Sequence, residues 1–268
     1  MSIINVLKEL QVSKRMTTEE ANRLSVNKIA EDVEAPQDVA DRELWENFIT
    51  LGEGVMDKNI FRAFFLAGGS GSGKSYVADR VLKGHGLRFI NSDAAFEKYM
   101  KDANISMDMR NSSEEETEKR DGVRAKAKAV TTSMQKAYLK GRLGVVIDGT
   151  GKNAQKIGAK KKALEALGYD CHLIFVNVAL DVALARNAKR SRKVPEEVAT
   201  KSWNDVQKNI GKFQSMFKQN LKIIDNNDAT QDELDLAWKE VMKLLKKPLK
   251  NPIATAWIKD ELEKRKRK

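Results

Sequence analysis

Five short apolar runs, separated by segments with helical patterning, dominate the chain after Phe61. They occupy residues 62–67, 87–91, 143–148, 171–178 and 221–226. The first run, RAFFLA, and the fourth, CHLIFVNV, show little alternation of apolar and polar residues, which is typical of strands buried on both faces. Because such runs alternate with helices, the pattern predicts an α/β fold of three layers around a five-stranded parallel sheet.

Helix-start signals lie between these runs and also before them. Ser113 and Thr230 are each followed three residues later by glutamate, which is the capping-box pattern. The helices predicted in this part of the chain cover approximately residues 76–82, 113–140, 154–168, 181–190, 195–220 and a segment after 230. Upstream, two further helices are predicted at residues 17–30 and 39–52. The expected organisation is a helical N-terminal extension (1–60), a core (61–230) and C-terminal helices with a basic tail (231–268).

The net charge of +11 is unevenly distributed along the chain. Residues 1–60 hold 7 basic and 12 acidic residues, whereas residues 245–268 hold 9 basic and 3 acidic ones. A basic body suits phosphate-rich ligands, and the tail is either a nucleic-acid contact or a solvated helix end. No apolar run is long enough to span a membrane, and the N-terminus lacks a signal-peptide pattern, so a cytoplasmic protein is expected. The single cysteine, Cys171, is expected to be buried.

One motif identifies the chemistry. GGSGSGKS fits the phosphate-binding pattern G-x-x-x-x-G-K-[ST] and lies between an apolar strand and a helix, as its mechanism requires. Backbone N–H groups of such a loop form an anion nest, Lys74 reaches the β- and γ-phosphates, and the Ser75 hydroxyl is a Mg²⁺ ligand. The predicted cofactors are therefore ATP or GTP with Mg²⁺. The predicted nucleotide-binding residues are Gly68, Gly69, Ser70, Gly71, Ser72, Gly73, Lys74 and Ser75.

Two acidic residues follow predicted strands. Asp93 is either a general base for a substrate hydroxyl or the N-cap of a helix. Asp148 is the last residue of the predicted strand LGVVID. A carboxylate at this position of a P-loop protein contacts Mg²⁺ directly or through water. The alternative is an acid that stands at the strand end by chance, which is common. Asp148 continues into the turn Gly149–Lys152, whose glycines suit a substrate-binding loop.

Two polar clusters come after the fourth and fifth strands. Arg186 and Arg190 lie four residues apart on a predicted helix, followed by Arg192 and Lys193. They are either a lid that closes over the transferring phosphoryl group or a solvated basic surface. Asn226, followed by another asparagine, either frames the adenine or forms a turn.

The order of these segments resembles the zeta-toxin and polynucleotide-kinase-like P-loop kinases, and zeta toxins are most similar. The resemblance covers residues 61–227 and rests on GGSGSGKS, INSDAAF, VVIDGTGKN, ALARNAKR, VPEEV and IIDNN. It implies a kinase-type P-loop NTPase fold, with the terminal helices as extensions. The turn here has Asp148 where zeta toxins typically have Glu, and Lys152 where they have Arg.

The resemblance also implies roles for individual residues. Asp93 would be the general base, and Lys74, Arg186 and Arg192 would stabilise charge on the transferring group. Asp148, Thr150 and Lys152 would lie near the acceptor. In zeta toxins the acceptor is a UDP-activated amino sugar, and relatives phosphorylate nucleic-acid ends or bases.

Three functions are compatible with these features. The leading hypothesis is a kinase that phosphorylates a hydroxyl of a small molecule such as a nucleotide sugar. The alternatives are a nucleic-acid kinase, acting on a 5′-hydroxyl or a hydroxymethylated base, and a P-loop ATPase or binding protein without kinase activity. The N-terminal helices either cover the sheet or dock a protein partner.

Overall fold

The fold was analysed in a computed structural model, which describes residues 54–108, 113–190 and 194–267. The strands are β1 (Arg62–Ala67), β2 (Arg88–Ile90), β3 (Val145–Asp148), β4 (Asp170–Asn177) and β5 (Leu221–Asp225). All of them are parallel and their order in the sheet is β2-β3-β1-β4-β5. The prediction of a five-stranded parallel sheet with flanking helices is confirmed. The two helices predicted at residues 17–30 and 39–52 lie outside the described residues.

Helices follow the strands, and all except α2 lie in segments that the sequence pattern predicted to be helical. They are α1 (Lys74–Val81), α2 (Ser92–Asp102), α3 (Glu114–Lys140), α4 (Ala154–Ala166), α5 (Leu180–Lys189), α6 (Glu196–Gln207), α7 (Ile210–Phe217), α8 (Gln231–Lys246) and α9 (Pro252–Lys266). Ser113 caps α3, and Thr230 forms a complete capping box with Glu233 at the start of α8. The prediction of a single helix over residues 195–220 is wrong, because the chain there is divided at Lys208 and Asn209 into α6 and α7.

Each face of the sheet is covered by its own set of helices. In β1, Phe64 and Leu66 pack into a cluster with α1 and α8, whereas Phe65 packs into a cluster on the opposite face with α3, α4 and α7. All six residues of β1 are buried, which explains why its sequence shows no polar alternation. Burying one such phenylalanine contributes about 1.5–3 kcal/mol to folding, before the entropic cost of ordering the chain.

The sheet order places the carboxyl ends of β1 and β3 side by side. Leu66 of β1 is paired in register with Asp148 of β3, so the segments that follow both strands start at the same level. The connection after β1 leads to β2 on one side, and the connection after β3 leads back past β1 to β4. In open α/β sheets, ligands bind outside the carboxyl ends of strands at such a reversal.

Near its amino end, β4 buries two titratable side chains on opposite faces. Cys171 is 1 % exposed, and burial raises the pKa of its thiol. His172 is buried on the other face and stacks on Phe64 with ring centroids 5.0 Å apart. Among the residues that the structure describes, neither nitrogen of the His172 ring has a hydrogen-bond partner. Burial, reinforced by the nearby cations of Arg62, Lys247 and Lys250, lowers the pKa of His172 to about 4.

This histidine is expected to make the fold sensitive to acid. As the pH falls, the unfolded chain binds the proton first, near its ordinary pKa of about 6.5, so the free energy of unfolding decreases. The expected loss from this group is about 2 kcal/mol between pH 7.5 and pH 5. When the free energy of unfolding is measured by urea denaturation at both pH values, its decrease should be smaller by this amount in His172→Leu than in the wild type. An equal decrease in the variant and the wild type would exclude His172 as the cause.

In the described part of the chain, no helix has the length and apolar character needed to cross a membrane.

Candidate active site

The phosphate-binding loop connects β1 to α1. Its backbone is anchored at the start, where the Gly68 N–H donates to the Thr150 carbonyl (3.2 Å), and it closes a turn through Ser72 N–H to the Gly69 carbonyl (3.3 Å). Gly71 and Gly73 have φ angles of +77° and +79°, which residues with a side chain rarely adopt. The loop therefore requires glycine at these positions, and it leads directly into the N-terminus of α1, where anions are stabilised.

Neighbouring elements press closely against this loop. A Cβ atom on Gly71 would lie 2.1 Å from the Ala183 carbonyl oxygen of α5. A Cβ on Gly69 would lie 3.3 Å from Cα of Trp203 in α6. The Trp203 indole N–H donates to the Val178 carbonyl (2.8 Å), which ties α6 to the end of β4. The shape of the loop is therefore enforced by α5 and α6 as well as by its own glycines.

Lys74 folds back over the loop that precedes it. Its Nζ donates to the carbonyls of Gly68 (2.7 Å) and Gly69 (3.2 Å). The ammonium group is thus held at the carboxyl end of β1, where the sequence predicts the β- and γ-phosphates. The next residue, Ser75, has an exposed side chain at the start of α1.

Asp148 lies at the end of β3, half-buried, and accepts a hydrogen bond from Asn91 Nδ2 (2.8 Å). Burial raises its pKa, the positive charge of Lys74 opposes this shift, and the negative charge of Asp93 adds to it. The charges of Lys74 and Asp93 therefore act on Asp148 where β1, β2 and β3 end. A carboxylate whose pKa is perturbed by burial and by charged neighbours is typical of functional sites.

Asp93 is not the N-cap of the helix that follows β2, so that alternative is wrong. Asn91 caps α2, since its side chain accepts a hydrogen bond from the Asp93 N–H (2.7 Å). The Asp93 carboxylate lies in the first turn of α2, with its side chain 48 % exposed and 4.0 Å from Nη1 of Arg124. Arg124 is itself held over the ring of Phe96, 4.1 Å from the centroid. A charged carboxylate at this position is stabilised by the helix dipole and by Arg124.

The segment after β3 is held by its backbone, and we call it the acceptor turn (Gly149–Asn153) after the role that the resemblance predicts for it. The Gly149 N–H donates to the Leu66 carbonyl (3.0 Å). Asn209 is buried at the division between α6 and α7, and its Nδ2 donates to the carbonyls of Gly151 (3.0 Å) and Lys152 (2.9 Å). The side chains of Thr150 and Lys152 are exposed. This arrangement fixes the backbone of the turn and leaves its polar side chains available to a ligand.

Asn209→Ala is expected to loosen the acceptor turn without disturbing the phosphate-binding loop. Both donated hydrogen bonds are lost, which destabilises the protein by about 1–3 kcal/mol. In steady-state kinetics we expect KM for the acceptor to rise about tenfold, as a cost of the misplaced turn, with Kd for ATP little changed. Asn204→Ala, an exposed asparagine of α6, is the matched control. Equal effects of the two variants on acceptor KM would contradict a role for Asn209.

Arg186 and Asn226 lie at the nucleotide-binding end of the site but contact protein groups. The Arg186 guanidinium donates to the carbonyls of Asn226 (2.8 Å) and Asn227 (2.9 Å). The side chain of Asn226 is buried and donates to the Ser72 carbonyl (2.8 Å). Asn226 thus contacts the phosphate-binding loop, and neither of its predicted roles includes this contact. The phosphate-stabilising role of Arg186 stays a prediction.

Arg192 lies outside the described residues, in the segment 191–193. The two sides of that segment are tied together by the buried Asn187 of α5, whose side chain donates to the Val194 carbonyl (2.8 Å) and accepts from the Val194 N–H (3.4 Å). Arg190, at the end of α5, is half-buried. Val194, which follows that segment, is therefore held to the helix that also contacts Gly71.

Three residues of the site were missed by sequence reasoning: Asn91, Arg124 and Asn209. Asn91 carries a local signal, because an asparagine before a helix start is a preferred N-cap. Asn209 carries a weak one, since an asparagine followed two residues later by glycine is unfavourable inside a helix. Arg124 carries none, because its role depends on the packing of α3 against α2.

The fold and the phosphate-binding loop together define a P-loop nucleotide-binding protein. The chain belongs to the family AAA_33, an AAA domain, whose model matches residues 64–212. No curated protein sequence matches the chain.

Three solved structures are similar to this chain. A presumed kinase of Chloroflexus aurantiacus is 13 % identical, and the match covers 68 % of this chain and 97 % of that chain with a TM-score of 0.47. A gluconokinase of Sinorhizobium meliloti is 16 % identical, with 70 % of this chain and 95 % of that chain covered and a TM-score of 0.42. A chain of the PezAT toxin–antitoxin system of Streptococcus pneumoniae is 14 % identical, with 80 % of this chain and 100 % of that chain covered and a TM-score of 0.46.

Proposed function

We propose that the protein is an ATP- or GTP-dependent kinase that transfers the γ-phosphoryl group to a hydroxyl of a small molecule such as a nucleotide sugar, like the zeta toxins it resembles. The observation that carries this proposal is the meeting of Lys74, Asp93 and Asp148 at the ends of three neighbouring strands, beside the phosphate-binding loop. A simple nucleotide-binding switch needs the loop but has no evident use for a carboxylate placed as Asp93 is.

The chemistry assigns a separate task to each group. The backbone N–H groups of the loop and the ammonium of Lys74 bind the β- and γ-phosphates. Asp93 accepts the proton of the acceptor hydroxyl as that oxygen bonds to the γ-phosphorus, and the bond from phosphorus to the β-bridging oxygen breaks. Arg186 and Arg192 would stabilise the charge that spreads over the transferring group.

The site also fits Mg²⁺. This ion prefers hard oxygen ligands and is usually held by one or two carboxylates together with substrate phosphates. Asp148 offers a carboxylate oxygen beyond the one bonded to Asn91, and Ser75 offers an exposed hydroxyl next to Lys74. Bound there, Mg²⁺ would neutralise charge on the phosphate oxygens. Thr150 and Lys152, exposed on the acceptor turn, would contact the acceptor.

A nucleic-acid kinase is the second candidate. It is favoured by the exposed basic end of α9, formed by Lys264, Arg265, Lys266 and Arg267. α9 itself is anchored to the core through the fully buried Ala254. A fixed helix with a basic end can contact nucleic-acid phosphates. Because Trp257 of α9 packs on Phe61, just before β1, this contact would lie toward the amino ends of the strands and away from the phosphate-binding loop.

Incubation with γ-labelled ATP tests these proposals. The purified protein is offered UDP-sugars, nucleosides, and DNA with a 5′-hydroxyl or a hydroxymethylated base. We expect label on one acceptor class, and the class labelled decides between the two candidates. Release of labelled phosphate to water with no labelled acceptor would instead indicate an ATPase.

A further inference from the structure

The guanidinium group of Arg124, in α3, is held in place by packing against α2. Its central carbon lies 4.1 Å from the centroid of the Phe96 ring, and Phe96 is buried. A guanidinium at this distance from an aromatic face gains from stacking as well as from cation–π attraction. Phe96 and Met100 of α2 pack with Ala127 of α3 in a small core cluster of their own. The packing of the two helices therefore fixes the position of the guanidinium.

The position of Asp93 is fixed through its backbone, whereas its carboxylate is partly exposed. Asn91 caps α2 by accepting a hydrogen bond from the Asp93 N–H (2.7 Å). Burial raises the pKa of Asp148 and the negative charge of Asp93 adds to the shift, so the two carboxylates repel each other. An aspartate side chain can also turn about two bonds. A base that serves one particular hydroxyl therefore needs a cation that keeps its carboxylate in one orientation.

Arg124 supplies such a cation next to Asp93. Its Nη1 lies 4.0 Å from Oδ1 of Asp93, which is within the range of an ion pair but too long for a direct hydrogen bond. Both side chains are partly exposed, so the pair contributes little to stability. A tight bidentate pair would occupy both carboxylate oxygens. This longer pairing orients the Asp93 carboxylate without taking up the lone pairs that a base requires.

We propose that Arg124 is a positioning residue that keeps the Asp93 carboxylate directed at the acceptor hydroxyl. This inference rests on the proposed kinase function and adds a residue of α3 to its site. Arg124 takes no proton itself, because a guanidinium stays protonated throughout the physiological pH range. A general base must lie within hydrogen-bond reach of the proton that it removes. A displacement of about 1 Å can lower the rate by about 10²-fold.

Arg124→Met tests the proposal, because methionine keeps an unbranched stem over Phe96 and removes the charge. In steady-state kinetics with the acceptor found by the labelling panel, we expect kcat to fall about tenfold. KM for the acceptor and Kd for ATP should change little. Arg124→Lys restores a cation beside Asp93 and should recover most of the lost rate. Since lysine and methionine have stems of similar length, recovery by lysine alone reports the charge.

The double variant with Asp93→Asn and Arg124→Met shows whether the two residues act together. When residue 93 can no longer take the proton, its orientation has no effect on proton transfer. Arg124→Met should therefore cause no further decrease in the single-turnover rate of Asp93→Asn. The same fold decrease in both backgrounds would show that Arg124 acts independently of Asp93, and it would overturn the proposal. A rise in acceptor KM with unchanged kcat would overturn it too, because Arg124 would then bind the acceptor.

Lys126→Met is the matched control. Lys126 is an exposed residue of α3, and its ammonium lies 4.7 Å from the centroid of the Tyr99 ring of α2. Its replacement removes one positive charge and one cation–π contact between the same two helices, and kcat should stay at the wild-type value. Equal losses in Arg124→Met and Lys126→Met would indicate a general loosening of α2 and α3 and would overturn the proposal.

Failure of the kinase proposal has a different signature. If the wild type labels no acceptor class, the kinase function and the role of Arg124 are overturned together. If an acceptor is labelled and Arg124→Met transfers phosphate at the wild-type rate, only the role of Arg124 is overturned.

Discussion

Asp93→Asn is expected to lower kcat for phosphoryl transfer by about 10²- to 10⁴-fold, the usual contribution of a general base. Asparagine keeps the size and the hydrogen-bonding capacity of the side chain but cannot accept the proton of the hydroxyl. Kd for ATP should change little, since the loop and Lys74 are untouched. The measurement is a single-turnover rate with labelled ATP and the acceptor found by the panel, together with calorimetric binding of ATP.

Asp102→Asn controls for the loss of one negative charge from the same helix. Asp102 is exposed at the other end of α2 and should retain full activity when changed. Undiminished turnover in Asp93→Asn would remove Asp93 from the mechanism. An equal loss in both variants would point to the net charge of α2 rather than to proton transfer.

Gly71→Ala is expected to weaken nucleotide binding by two orders of magnitude or more, about 3 kcal/mol. The added Cβ would lie 2.1 Å from the carbonyl oxygen of Ala183, which is a backbone atom of α5. Relief of this clash requires movement of the loop or of the helix, and either displaces the N–H groups that bind phosphate. Binding of a fluorescent ATP analogue to the folded variant is the measurement.

Gly84→Ala separates this clash from backbone strain. Gly84 has a similar φ of +84°, but a Cβ there would meet no atom within 4 Å. The left-handed conformation alone costs about 1–2 kcal/mol, which should appear as a modest decrease in stability with normal ATP binding. If Gly71→Ala also bound ATP normally, the close contact with α5 would not be what shapes the loop.

Features encoded locally were accessible from the sequence. The strands could be located because an uninterrupted apolar run such as RAFFLA suits only a position between two layers of helices. The phosphate-binding loop could be recognised because its glycines and its lysine must occur at fixed spacing. The capped starts of α3 and α8 follow the same logic, since Ser113 and Thr230 interact only with residues of the next turn.

Features that depend on packing between distant elements could not be predicted from the sequence. Arg124 reaches Asp93 from α3, and no local pattern marks which arginine of that long helix does so. At the helix division, the side-chain amide of Asn209 donates to two carbonyls of a turn that is distant in sequence. No local pattern indicates that the side chain of Asn226 donates to the Ser72 carbonyl of the phosphate-binding loop. Each of these outcomes was decided by an element far away in sequence.

The burial of Cys171 in β4 has a practical consequence for spectroscopy. It is the only sulfhydryl in the chain, and its enclosure and raised pKa keep the reactive thiolate scarce. A cysteine introduced on the surface, for example Asn204→Cys on α6, would therefore be alkylated selectively by a maleimide dye. Such a fluorophore would report the arrival of each ligand in an otherwise wild-type background.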